Sequence, residues 1–592
     1  MDRNQAIGLT LMALVLLIYF IWFAPQPEPP PAGTDSLTVQ AHTPAANQNI
    51  TTTAPPADTL EAVVKPEEFT VETPDLKITF SNRGGVIRSL ELKHYKTYHQ
   101  APLLLIDSIR HSFEMTASVN GKLTDLYSLM YSAEKQQRGD TILLTFTRQA
   151  EGKWLRFTYA IPPAGYEIGY TLDHRNFLDP EPVNLRWHGR LSLFERDLTD
   201  SRNYTTVVYR HNGSVDELPA RSTSAEQETL TGNINWISVK QKFFLNALIS
   251  EKGFSQAELK TSVNDADTST VKLADLSAQI PADQLNSGQV KLSCYFGPND
   301  YQTIGKVAPD FAKNVYLGWP PVYWINKFVI FPVFHFLTKI LSNYGLIIII
   351  LVILLRIVLL PLSYRSYLSM AKMKVLKPEL DEIKEKYGSD MAKVQQEQLK
   401  LYQQAGVNPL SGCIPILLQM PILFAMFYLF PNSIELRQQS FLWADDLSTY
   451  DSVINLPFTL PLYGSHVSLF TLLMTLSTLI ITWQNNQISS VQGPMKSMSY
   501  IMPVVFMVVL NSFPAGLSFY YLMSNLVTFG QQAIIRRFVD EQKIKKIMDE
   551  HRKSMAMGTG KKSKFMARLE EAMKASEEAR RKAEEERKRR KK

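Results

Sequence analysis

The feature that most constrains this chain is a set of long apolar runs at 7–23, 345–362, 413–430 and 467–483. Each approaches the roughly 17 to 25 residues that cross about 30 Å of hydrocarbon as a helix. A shorter run, 500–510, ends near Phe513-Pro514-Ala515-Gly516, and a weakly polar one resumes over 517–535. The expected fold is therefore a multi-spanning α-helical membrane protein with six transmembrane helices, and a purely soluble or secreted protein is excluded. A chain of 592 residues would suggest several ordinary domains only if all of it sat in water.

Composition divides the rest. Residues 1–23 read as an uncleaved signal-anchor helix, because Trp22-Phe23 meets the prolines without a small-x-small cleavage site; a removed signal peptide is the alternative. Residues 24–66 hold nine prolines among Thr, Ala, Gln and Asn, and read as a disordered linker that tethers the next domain loosely. Over 67–310 the apolar period is two: Leu76, Ile78, Phe80; Leu155, Phe157, Tyr159, Ile161; Val183, Leu185, Trp187; Leu292, Cys294, Phe296. That alternation predicts half-buried antiparallel strands, punctuated by turns at Asn82-Arg83-Gly84-Gly85, Pro163-Ala164-Gly165 and Asn212-Gly213. One large β-sandwich outside the membrane is expected.

Residues 315–340 carry Trp319, Tyr323, Trp324, Phe328, Phe331, Phe334 and Phe336 among Asn326, Lys327, His335 and Lys339. Such a mixture suits an amphipathic interfacial helix, with an ordinary connector as the alternative. The membrane core spans 341–540 and holds a polar insert. Met370, Met373, Leu376, Leu380, Ile383 and Tyr387, then Met391, Val394, Gln398, Leu401 and Tyr402, keep helical spacing around a break at Gly388-Ser389-Asp390. A helical hairpin over 363–406 is expected, its methionines and lysines exposed because no other soluble mass on that side offers a core. Residues 541–592 form a tail. Cys294 and Cys413 are the sole cysteines, so a disulfide framework or a cysteine metal cluster is excluded, and neither metal nor cofactor is expected.

Charge fixes an orientation. Residues 536–592 hold 21 Lys+Arg against 11 Asp+Glu, a net of +10, so the remainder of this +7 chain is −3. Segment 363–412 has eight Lys/Arg, whereas 431–466 has Arg437 alone, which puts the hairpin in the cytoplasm. Six spans then place both termini in the cytoplasm and the β-domain outside.

Arg356 stands inside the run 345–362, about 9 Å below the cytoplasmic end by helical rise. A charge there costs at least about 2.5–3.5 kcal/mol on insertion scales. None of the five runs from 345 onward contains Asp or Glu to neutralise it. Either the side chain snorkels to the headgroups, or it stands in a wet recess that receives a visiting acidic group. Gln419, Gln484, Ser518, Tyr520, Tyr521, Ser524, Asn525, Gln531 and Gln532 add polarity to neighbouring runs. Singly such residues glue helices together; jointly with the arginine they suggest a polar groove.

Three stretches resemble the YidC membrane-protein insertase family, of the Gram-negative type with a large periplasmic domain. They are Pro361-Leu362-Ser363 with Met370-Ala371-Lys372-Met373 and Leu376-Lys377-Pro378; Val407-Asn408-Pro409-Leu410-Ser411-Gly412-Cys413 with Gln419-Met420-Pro421; and Phe513-Pro514-Ala515-Gly516-Leu517 with Tyr520-Tyr521 and Ser524-Asn525-Leu526. The resemblance covers roughly 315–540. It implies a five-helix insertase core around a hydrophilic groove, closed outward, in which an arginine at the Arg356 position attracts the polar or acidic segment of an incoming protein. One departure is Val352, a turn before the arginine, where relatives are often polar. The preceding domain is similar to a periplasmic β-supersandwich related to sugar mutarotases, with motifs too weak to carry over a sugar site.

The expected function is thus an insertase and chaperone of the bacterial inner membrane, not an enzyme. Its expected partners are nascent membrane proteins, the Sec translocon, the ribosome, signal-recognition targeting factors and membrane lipids. Hairpin residues Met370, Lys372, Met373, Lys377 and Met391 are candidate contacts for targeting factors or the nascent chain. Lys543, Lys545, Lys546, Lys561, Lys562, Arg587, Arg589 and Arg590 are candidates for ribosomal RNA phosphates, with anionic lipid or a solvated charge run as alternatives. A transporter or channel, and an envelope carbohydrate enzyme on the β-domain, are the competing classes. The first would need the coupling carboxylates that the spans lack, and the second rests on fold analogy.

Overall fold

Residues of alternating polarity pair into sheets, and they do so through the first half of the molecule. The computed structural model describes residues 65–388, 391–407, 414–460, 463–488 and 494–557. Strands Glu68–Glu72, Leu76–Ser81, Val86–Lys96 and Pro102–Asp107 form a four-stranded antiparallel sheet in chain order. Thirteen strands, from His111–Val119 to Gln289–Pro298, form a second sheet. Its longest strand, Phe244–Ser262, pairs along its length with Glu226–Lys240, Thr270–Ile280 and Gln289–Pro298. Leu155, Phe157, Tyr159 and Ile161 all face the core, as do Leu76, Ile78 and Phe80 across from them. Phe80 and Tyr159 bring their ring centroids to 4.8 Å, joining the two sheets. At Asn212-Gly213 both residues have positive φ, +49° and +84°, the conformation that a tight two-residue hairpin requires.

Between the domains, Pro320–Ile325, Asn326–Ile330 and Phe331–Thr338 are helical in succession, the middle one a π-helical turn. The helical character begins at Pro320, five residues later than the sequence suggests, because Pro320 and Pro321 suit a helix start. Asn326 is fully buried and donates Nδ2 to the Leu317 carbonyl at 2.9 Å, while Trp324, Phe328 and Phe336 are exposed.

The helical half comprises α1 (Tyr344–Val375), α2 (Lys377–Tyr387), α3 (Met391–Gln404), α4 (Ile414–Asn432), α5 (Leu469–Ile488), α6 (Pro494–Leu510), α7 (Ala515–Phe538) and α8 (Glu541–Ala556). Asn343 caps α1 by accepting from the Leu346 amide at 3.0 Å. The expectation of a separate hairpin over 363–406 needs correction. α1 runs through Pro361 without a break for 32 residues, so 363–375 belong to the same helix as the apolar run. The break comes at Leu376, where Pro378 lacks the amide that would continue the ladder and instead starts α2. Among the described residues, α1 is the one helix both long and apolar enough to cross a bilayer, and Lys496–Leu510 is a shorter apolar helix.

Candidate functional site

Arg356 is buried, 8% exposed, on the face of α1 that meets α7. Its Nη2 donates to the Ser524 hydroxyl at 2.5 Å, and among the described residues no carboxylate pairs with it. Two helical turns beyond Ser524, Gln531 donates Nε2 to the Arg356 carbonyl at 3.1 Å. Two polar residues of α7 thus grip one arginine, by its side chain and by its backbone. Asn525 faces α5 instead, donating Nδ2 to Ser477 Oγ at 2.9 Å and Thr478 Oγ1 at 2.8 Å. Ser518, fully buried, lies 2.9 Å from Thr471 Oγ1. Tyr520 is buried with its ring 6.0 Å from Phe430 of α4 and 5.6 Å from half-buried Tyr521. Gln419 on α4 and Gln484 on α5 are half-buried. Thr471, Ser477 and Thr478 on α5 belong to this polar seam and were missed from sequence; their spacing of six and seven residues along one apolar run was the available signal.

At the N-terminal end of α7, backbone hydrogen bonds tie the helix to the loop between α4 and α5. The Ala515 amide donates to the Thr449 carbonyl at 2.7 Å and the Gly516 amide to Leu447 at 2.9 Å. A Cβ at Gly516 would stand a tight 3.0 Å from the Leu447 oxygen and from the Phe430 ring, so glycine at this position eases the close approach. Asp451 then fixes the start of α5, accepting from the Phe470 amide at 3.0 Å, Ser468 Oγ at 2.5 Å and Trp443 Nε1 at 2.9 Å.

The same α4–α5 loop clasps the β-domain. Arg437, buried, places Nε 2.9 and 3.0 Å from the two Glu195 carboxylate oxygens and donates Nη2 to the Lys96 carbonyl at 2.6 Å. Lys242 donates to Asp200 at 2.6 Å and to the Ser448 carbonyl at 3.2 Å. Arg196 lies 4.5 Å over the Tyr450 ring. Burial pushes the Glu195 carboxyl up, opposed by Arg437. Burial also works against the Lys242 ammonium, yet Asp200 holds its pKa above the ordinary value. The expected loose tether on the N-terminal side is thus matched by a rigid joint on the other.

On the opposite side, the expectation that the hairpin has no core to cover is overturned. The amphipathic helix α8 supplies one: Ile544 and Met548 are buried against Met373, Leu376, Leu380, Leu401 and Tyr402. Arg552 Nη2 reaches both Glu379 oxygens, at 2.8 and 2.7 Å. The His551 ring sits over Gly406, where φ is +64° and a Cβ would meet the ring at 2.9 Å. Met373 is therefore buried and Met370 and Lys372 half-buried, whereas Lys377, Lys543, Lys545 and Lys546 are exposed. The tail was read as charge clusters, which hid the i, i+4 apolar pair at its start.

The cavity between the sheets is lined mainly by apolar groups, among them Phe113, Tyr159, Trp187, Leu276 and Phe296. Arg186 at its edge is paired with Asp275 at 2.8 Å. That lining offers little to a carbohydrate. Residues 1–64, the Asn408–Cys413 motif, the Met391 side chain, Lys561, Lys562, Arg587, Arg589 and Arg590 lie outside the described residues.

Residues 336–543 match the family model of the 60Kd inner membrane protein, and residues 68–332 that of the YidC periplasmic domain. The membrane protein insertase YidC of Amoebophilus asiaticus is 42% identical over 97% of this chain and 99% of its own. That of Cytophaga hutchinsonii is 44% identical over 98% of each. A solved active YidC insertase, 20% identical, aligns with 80% of this chain and 93% of its own at a TM-score of 0.33. A galactose mutarotase-like protein from Lactobacillus casei, 14% identical, aligns with 39% of this chain and all of its own at 0.26. The assignment rests on the sequence matches, which run nearly end to end: the chain belongs to the YidC membrane protein insertase family.

Proposed function

We propose that this protein inserts integral membrane proteins into the bacterial inner membrane and helps them fold, through a polar groove centred on Arg356. The observation that carries the reading is a buried guanidinium held by a neutral hydroxyl, with no carboxylate partner among the described residues. A charge in that setting is costly to keep and favours an acidic or polar segment that visits. Gln419, Gln484, Ser518, Tyr520, Tyr521, Ser524, Asn525 and Gln531 supply the polar surroundings. Insertion is not enzyme catalysis. Transfer of a client span into lipid, on the order of 25 cal/mol per Å² of apolar area, provides the driving force, and the groove lowers the barrier for its polar flank.

The arrangement proposed is six spans, 7–23 and the cores of α1, α4, α5, α6 and α7, with both termini cytoplasmic and the β-sandwich periplasmic. α1 reaches into the cytoplasm, where α2, α3 and α8 form a platform for nascent chains, targeting factors and the ribosome; the Sec translocon is a further proposed partner. Photocrosslinking from positions 356, 419 and 521 during synthesis of a membrane protein tests the groove. Adducts with the nascent chain are expected from all three, and their absence from all three would contradict it.

A further inference from the structure

The outer loop ends in a feature that the groove does not use. Strands Ile454–Leu460 and Gly464–Val467 form a two-stranded antiparallel hairpin. Ile454 and Phe458 are each 57% exposed and Leu460 41%, and the alternate residues Asn455, Pro457 and Thr459 are exposed too, so both faces of the first strand are open. From Ser452 to Met495 the sequence contains no Asp, Glu, Lys or Arg. Exposed apolar groups in water are ordinarily scattered singly, whereas here they are clustered and uncharged.

The hairpin is also held firmly. His466 Nε2 lies 2.9 Å from the Asn511 carbonyl, and Asn511 Nδ2 donates to the carbonyls of Tyr463 at 2.9 Å and His466 at 2.8 Å. The Tyr450 ring stacks on His466 at 3.7 Å. Its second strand ends at Val467, two residues before α5 begins at Leu469. Covalent continuity therefore sets its base at the outer end of a span.

We propose that this hairpin lies in the interfacial layer of the outer leaflet and is a lipid-contact site, a reading that rests on the spanning orientation of α5 given above. Lipid fits better than a protein partner because the surface carries no charge to orient one and continues directly from a membrane-embedded helix. Depth follows from the backbone. A two-stranded sheet leaves edge amides and carbonyls unpaired, and these need headgroups or water. The hairpin is accordingly shallow, its Ile454 and Phe458 side chains among the upper acyl carbons.

The full chain, with Cys294→Ala and Cys413→Ala, is reconstituted in phospholipid vesicles after introducing one cysteine for a spin label. Labels replace Ile454, Phe458, the α5 residue Ile480 and the water-exposed β-domain residue Ile109. Power saturation with oxygen and with a water-soluble nickel chelate reads their surroundings. The expected result is that 454 and 458 favour oxygen over nickel, as 480 does, but at shallower depth. If 480 is in lipid while 454 and 458 match 109, the hairpin is in water and the inference fails alone. If 454 and 458 are shielded from both reagents, a protein surface covers them and the inference also fails. If 480 itself matches 109, the spanning arrangement fails and takes the hairpin with it.

Discussion

Arg437 and Glu195, 242 residues apart, form a buried ion pair that joins the α4–α5 loop of the helical core to the β-domain, with Nε 2.9 and 3.0 Å from the carboxylate oxygens. Removing one partner of such a pair leaves an uncompensated buried charge, a loss of about 3–5 kcal/mol. Glu195→Ala is therefore expected to loosen the β-domain from the core, visible as earlier protease cleavage near residues 300–318. Arg437→Ala with Glu195→Ala together should lose less than the two singles summed. Additive effects would show that the pair does not couple the domains.

Docking of α8 against α1, α2 and α3 makes a second expectation. Truncating Ile544 and Met548 to alanine should cost about 2–5 kcal/mol per buried side chain and raise hydrogen exchange over 391–407 as well as in α8. Arg552→Glu should have a milder effect, rescued by Glu379→Arg. Unchanged exchange in α3 would show that α8 and the hairpin are independent.

Lys272 is buried in strand Thr270–Ile280, donating to the Ala220 carbonyl at 2.6 Å, and burial pushes its pKa down from 10.5 to about 8. Between those values the folded state binds fewer protons than the unfolded, so stability rises with pH across that window, by at most roughly 1.4 kcal/mol per pH unit. Thermal unfolding from pH 7 to 10 should show the wild-type midpoint climbing relative to Lys272→Met. Parallel curves would refute the assignment.

The tail makes a fourth test. Lys543, Lys545 and Lys546 are exposed on α8, ahead in sequence of the clusters at 561–564 and 587–592. Truncation after Met557 spares α8 while removing the later clusters. Cosedimentation of detergent-solubilised protein with ribosomes is expected to fall on truncation and to weaken steeply with salt. Equal pelleting of both forms would rule out the ribosome as the target of the removed clusters.

The legible parts of this molecule were those written in local pattern. Leu155, Phe157, Tyr159 and Ile161 announce a half-buried strand, and Arg356 announces itself by standing in an apolar run. What escaped depends on distant partners. Ser524 lies 168 residues from Arg356 in sequence, and nothing local distinguishes it from Ser518, which meets Thr471 instead. Arg437 served as a lone charge marking an outer loop, while its structural role is to hold Glu195. The expected start of a separate hairpin at 363 has no counterpart, because α1 runs on through Pro361 to Val375.

The central claim is that the positive charge of Arg356 draws a polar segment into the core. Its most direct test is insertion of a single-span client with an acidic translocated tail into vesicles containing wild type, Arg356→Ala or Arg356→Lys. The alanine variant is expected to lose roughly ten- to hundredfold in insertion, matching a charge-assisted hydrogen bond worth about 1.5–3 kcal/mol, whereas the lysine variant retains most activity because charge, not a bidentate fork, is required. A matched client with a neutral tail should be affected far less. Wild-type insertion of the acidic client by Arg356→Ala would contradict the account.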